Sequence, residues 1–361
     1  MSDLYVAAGG GGDPVGTLIA ARALGGGDPA APALIATYAW ERPEVDPTAA
    51  ALGEGDFEGL VHEPGGAGDG FAAFTAATRV RPPAGSTLPG LARDLPARLL
   101  LLDPAAGLDA LARRIGSMAA AAGGRIRVVD VGGDILTHGD EPGLCSPFTD
   151  ALTLAACHLT GVPTTVHVAG PGLDGEIEER ILLGRLTGSE PLVPGPGAVA
   201  AAARALAWHP SEASALWAAA VLGARGTART ARGGTVRLTD ASPGLYPLPL
   251  GEALDHNPVA RALVGERPAT LEDAAAVSHR LTGIPGLASE RTAPPRRVQD
   301  PPVAGAAALD RDSAMKVLGE AAGGADHVTL RHAVRVLGLT WADIPALRTV
   351  LGVATPLLRP V

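Results

Sequence analysis

Apolar residues in the first half of the chain come in short unbroken runs, and each run stops at a polar or glycine-rich cluster. Residues 4–8 (LYVAA), 33–39, 99–102 (LLLL), 125–130 (RIRVVD) and 163–168 (PTTVHV) have the length and the leucine or β-branched content of buried strands. The stretches between them predict helices at 14–24, 107–122 and 147–160, the second closed by Gly123-Gly124. Such alternation predicts an α/β fold with a Rossmann-like, mainly parallel sheet and helices on both faces. Residues 46–95, rich in Gly, Pro and charge, carry no clear period. Beyond residue 175 the pattern turns helical, with helices expected at 176–187, 196–207, 211–224, 257–264 and 270–282. The expected organisation is a Rossmann-like domain with helical additions over 1–285, a Pro-rich connector over 286–312 and a small helical tail over 313–361.

Composition narrows the chemistry. With 361 residues the chain can bury an ample core, and with 3% aromatics that core is built from Ala, Leu and Val. A net charge of −9 argues against nucleic acid or an anionic membrane as partner. No apolar stretch is long enough for a bilayer, no leader-like segment precedes the first strand, and two cysteines make no disulfide framework. A cytoplasmic protein acting on a small-molecule substrate is expected, with self-association into a homo-oligomer left open. Lys316 is the single lysine, far from any glycine-rich strand-to-helix turn, so a phosphate loop with its lysine is excluded.

The candidate chemistry gathers just past the strand ends. The richest stretch is Val128 to Asp150, where Asp130, Gly132-Gly133, Asp134, His138, Asp140, Glu141, Cys145, Ser146 and Asp150 follow one another. Open α/β sheets bind ligands outside the carboxyl ends of their strands. Asp130 and Asp134 are expected to be catalytic or to hold Mg²⁺ or Mn²⁺, since hard cations prefer oxygen. His138 and Glu141 are the further catalytic candidates, as general bases. His138 with His167 would instead suit a softer metal. Asp103 ends a strand one helix away and is expected to share the same crevice. Gly9, Gly10, Gly11, Gly12 and Asp13 put backbone amides at a helix start, where an anion can be cradled. Ser146, Asp150 and Asn257, the single asparagine, complete the expected ligand-binding set. Asp13 and Asn257 read equally well as helix caps followed by Pro at the first helical position. Cys145 reads either as packing or as a nucleophile served by His138.

At AAGGGGDPVG (7–16), WERPEVDP (40–47), VVDVGGDI (128–135) and GDEPGLCSPFTDALTLAA (139–156) the chain resembles the family catalogued as domain of unknown function 1152. That resemblance covers residues 4–285 and implies no activity. Asp134, His138-Gly139, Gly143-Leu144, Ser146-Pro147 and Asp150 are also similar to a pattern in the 2-phospho-lactate transferases, with an insertion between the two glycines. That likeness implies a metal–nucleotide site at the glycine turn and those aspartates. The leading expectation is a metabolic enzyme that hydrolyses or transfers a group on a small polar, nucleotide-derived metabolite. A setting in actinobacterial specialised metabolism would fit the GC-rich residue usage. The alternatives are a nucleotide-dependent transferase and a non-catalytic nucleotide or metabolite sensor.

Overall fold

The computed structural model describes residues 3–10, 13–25, 31–48, 50–65, 70–286, 305–306 and 309–360. The strands are β1 (Leu4–Ala7), β2 (Ala33–Tyr38), β3 (Phe57–Glu58), β4 (Val61–Glu63), β5 (Phe71–Ala73), β6 (Arg79–Val80), β7 (Ala97–Leu102), β8 (Ile126–Val131), β9 (Thr164–Ala169), β10 (Gly226–Arg229), β11 (Thr235–Leu238), β12 (Leu245–Pro249), β13 (His327–Thr329) and β14 (Leu357–Leu358). An eight-stranded sheet runs in the order β12-β9-β8-β1-β2-β7-β5-β4. Its middle, from β9 to β7, is parallel, and β12 and β5 close it antiparallel on either side. This is an α/β, Rossmann-like arrangement.

Residues alternate between the two faces of the sheet, and each face has its own apolar core. Leu4, Val6, Ala36, Leu100, Leu102, Val128 and Val166 pack with helices α3 (Leu108–Ala122) and α4 (Pro147–Leu159). Tyr5, Ala7, Ile35, Leu99, Leu101 and Val129 pack on the opposite side with α1 (Asp13–Leu24) and α8 (Glu212–Val221). Strands covered on both faces read as continuous apolar runs, which is why these five were visible in the sequence. Helix α1 lies close on the sheet. A Cβ at Gly16 would stand 2.5 Å from a Val131 methyl, so only glycine permits that approach.

The second half departs from the expected helical run. Helices form at α9 (Leu250–His256), α10 (Pro258–Glu266) and α11 (Leu271–Thr282), but strands β10, β11 and β12 come between α8 and α9. The tail is not wholly helical. Beside α12 (Arg311–Ala322), α13 (Leu330–Val336) and α14 (Ile344–Leu351) it supplies β13, which follows α12, and β14, which follows α14, to a mixed four-stranded sheet, β11-β10-β13-β14. These strands are two to four residues long, too short for alternation to register in the sequence. Most of the expected Pro-rich connector lies outside the described residues.

Asn257 is placed by this packing, and its expected ligand role is corrected. Its side chain is fully buried and caps α10, Oδ1 accepting from the Ala260 N–H at 2.9 Å. Its Nδ2 donates to the Ile135 carbonyl at 3.1 Å, so both polar ends are used inside the protein. A cap alone would tolerate Asp, which caps as well as Asn. Here Asn257→Asp would aim a buried acceptor at the Ile135 carbonyl. The expected outcome is a loss of roughly 3 kcal/mol in urea unfolding with an unchanged m-value. A loss below about 0.5 kcal/mol would show that the Ile135 bond carries nothing.

Candidate functional site

Leaving β1 the chain builds outward through β2 and β7, and from β8 it builds the other way through β9 and β12. The adjacent carboxyl ends of β1 and β8 therefore form the opening where doubly wound sheets take ligands. Three loops and one helix start converge there. After β1, the Gly9 N–H donates to the Asp13 carboxylate at 2.8 Å. A Cβ on Gly9 would lie 2.3 Å from that carboxylate oxygen, so the turn needs glycine. After β8, Gly132 and Gly133 adopt φ of +135° and +108°, which turns the chain into Asp134. After β9, the Gly172 N–H reaches the Gly132 carbonyl at 2.6 Å and brings Asp174 against the Gly132 backbone. The start of α4 supplies Asp150.

The result is a nest of acids. Asp130, Asp134 and Asp150 are buried, and one oxygen from each lies within 4.8 Å of the others. Oxygens bound to one divalent cation at 2.0–2.6 Å stand at most about 4–5 Å apart, so the triad can close on one ion with small side-chain rotations. Burial pushes the Asp130 carboxyl well above the usual range, and the charges of Asp174 and Asp13 push it further. Burial does the same to Asp134, helped by Asp150, Glu176, Asp174 and Asp130. Asp174 is driven to about 7 by burial and by Glu176, and Asp13 to about 6 by burial. Like charges this close cannot all ionise, so the nest holds protons or a cation. The Asp174 carboxyl meets that of Asp134, and its Oδ2 is buried with no other hydrogen-bond partner among the described residues.

Glu176 and Arg232 organise the edge of the nest. Glu176 accepts from the N–H groups of Cys145 and Ser146 at 2.8 and 2.9 Å and from the Ser146 hydroxyl at 2.6 Å. It thereby fixes the first turn of α4, and with it Asp150. The Arg232 guanidinium, carried on the β10–β11 turn, pairs with Glu176 at 3.0 Å. None of Asp174, Glu176 and Arg232 was singled out from the sequence. For the first two the signal was present: GPGLDGE follows the 163–168 run as VGGD follows 125–130. Arg232 reaches the site through a tertiary fold-back that no local pattern announces.

Several expected site residues do other work. Asp103 accepts from the Glu54 and Ala105 N–H groups, each at 3.0 Å. Two strands separate β7 from β8, so at about 4.8 Å per step Asp103 lies roughly 14 Å from the Asp130 strand and does not join the crevice. Glu141 is no general base. It takes hydrogen bonds from the His138 N–H, the Thr137 hydroxyl and the Gly139 N–H, and pairs with Arg185 at 2.6 Å. Burial alone would raise its carboxyl, but these donors outweigh it and hold it at about 2. Ser146 is committed to Glu176, and His138 faces His256 rather than Cys145. The Cys145 thiol is pushed up by burial and by Glu176, which suits packing rather than attack. His167 sits beside Arg127 in the sheet and is held neutral at about 4, away from His138. Gly10 lies against the Trp40 carbonyl, where a Cβ would meet it at 2.6 Å; Gly11 and Gly12 lie outside the described residues.

Comparison with known proteins adds one relationship. No curated protein and no solved structure matches the chain, so the likeness to the 2-phospho-lactate transferases gains no relative in its support. One family model matches residues 4–293, which takes in β1 through α11 and every carboxylate of the nest. The chain therefore belongs to the family described as "Protein of unknown function (DUF1152)".

Proposed function

We propose that this protein is a divalent-cation-dependent enzyme that hydrolyses, or transfers a group from, a small anionic metabolite. The observation that carries this reading is the buried Asp130–Asp134–Asp150 triad at the β1–β8 opening. The Asp174 Oδ2 beside it, with no partner but Asp134 among the described residues, is a second sign that the crevice is built for a ligand. Oxygen-only donors favour Mg²⁺ or Mn²⁺ over a thiophilic ion. A cation there would polarise a phosphoryl or carbonyl oxygen or activate a water. Asp174, poised near neutrality, would take or give the proton. Arg232 would meet negative charge on the substrate at the rim. Nucleotide-derived substrates fit this chemistry because their phosphates are anionic and chelating.

Mg²⁺ or Mn²⁺ at about one hundred times its dissociation constant is expected to raise the melting temperature by a few degrees over an EDTA-treated control. Asp134→Asn should abolish that rise and, once a substrate is in hand, turnover. An equal rise in Asp134→Asn would remove the triad from the reading. Turnover screens with phosphorylated and nucleotide substrates then decide between enzyme and sensor, since a sensor would bind the cation and ligand with no product.

The pH dependence has a definite sign. A carboxyl whose value rises on folding favours the fold while it is protonated. That contribution is complete below the ordinary value near 4 and is lost as pH climbs through about 6 for Asp13 and about 7 for Asp174. Metal-free protein is therefore expected to lose stability between pH 4 and 7, and the metal-induced gain should be larger at pH 8 than at pH 5.5. Asp174→Asn should flatten this slope and make the metal-free protein more stable at pH 8. Glu41, pushed to about 7 by burial, keeps part of the slope. A metal-free melting temperature that stays level from pH 5 to 8 would contradict the charge-crowding account.

A further inference from the structure

His138 and His256 lie 118 positions apart in the chain and meet outside the carboxylate centre. His138 Nε2 is 3.2 Å from His256 Nδ1, with ring planes 14° apart and centroids at 5.5 Å. Both rings stand on a stiff frame. Glu141 accepts the His138 N–H at 2.8 Å and pairs with Arg185, which also donates to the Leu136 carbonyl at 2.8 Å. Asn257, next to His256, is tied to Ile135. His256 also hydrogen-bonds the Arg185 backbone. In the tautomer with the proton on Nε2, the His256 Nδ1 facing His138 offers its lone pair.

We propose that His138 Nε2 and His256 Nδ1 together bind one divalent d-block ion of the zinc, nickel or copper kind, clipping the loop after β8 to the α9–α10 junction. Two nitrogens 3.2 Å apart, each about 2.1 Å from one ion, subtend about 100° at it, between the octahedral and tetrahedral values. Imidazole is the donor such ions favour, whereas Mg²⁺ favours oxygen. His138 is exposed, so water can fill the remaining positions. The proton now between the rings is not expelled. A neutral His138 carries it on Nδ1 instead, and a rotation of the two rings turns both lone pairs toward one ion. Burial, with the Arg185 charge, favours the neutral, ligating form of His256. The site stands independently of the carboxylate reading, because its donors and its metals differ from those of the triad.

The test uses the full chain, tag-free and chelator-treated. Zn²⁺ is titrated by calorimetry at pH 7.5, and Cu²⁺ is bound for electron paramagnetic resonance. Wild type and Asp134→Asn should bind Zn²⁺ with the same affinity. His138→Gln and His256→Gln should each bind at least about tenfold more weakly, with melting temperatures within a degree or two of wild type. The Cu²⁺ spectrum of wild type should show two coupled nitrogens. The proposal is overturned by unchanged Zn²⁺ affinity in both histidine variants, by loss of binding in Asp134→Asn, or by fewer than two coupled nitrogens in wild type.

Discussion

The mutual repulsion of buried carboxylates is the constraint around which this protein is arranged. Asp13, Asp130, Asp134, Asp150, Asp174 and Glu176 come from three strand ends and one helix start, and burial works against the ionisation of at least four of them. Acids far apart in sequence do not gather in this way by default, since each is more stable in water. They are held together by backbone that has no alternative. Glycine at 9, 132 and 133 lets loops approach where a side chain would clash, and the Gly172–Gly132 hydrogen bond zips two of the loops. The energetic burden is carried by the double-faced core beneath.

That core was the most legible part of the sequence. The runs at 4–8, 33–39, 99–102, 125–130 and 163–168 are unbroken because helices cover both faces of the strands they become. The site was half legible for the same reason. Once Asp130 is seen to end a strand, the switch-point geometry makes it and Asp134 neighbours of the turn after β1. Asp103 misled because it too ends a strand, but on β7, three places from β8 across the sheet. Glu141 misled because a carboxylate among glycines looks the same in sequence whether it faces solvent or is clamped by Arg185. The short strands of the second sheet were invisible, since each is two to four residues long and the β10–β13 pairing that joins them spans 99 residues of chain.

Roles that sequence reading assigns to chemistry are often taken here by architecture. Glu176 anchors α4, Glu141 closes the loop after β8, and Asn257 joins that loop to α10. These three residues fix the positions of Asp134 and Asp150 without adding to the acid triad. Their substitution is expected to shift the centre rather than to delete a group from it.

The β10–β11 turn carries Arg232 to Glu176, and β10 pairs with β13 near the end of the chain. Thr329 reinforces the link by donating to Glu212, and Glu212 in turn holds the Ala231 N–H beside Arg232. A strand far along the chain from the acids thus steadies the arginine paired with Glu176, so the charge balance of the crevice depends on a segment that contributes no group to it.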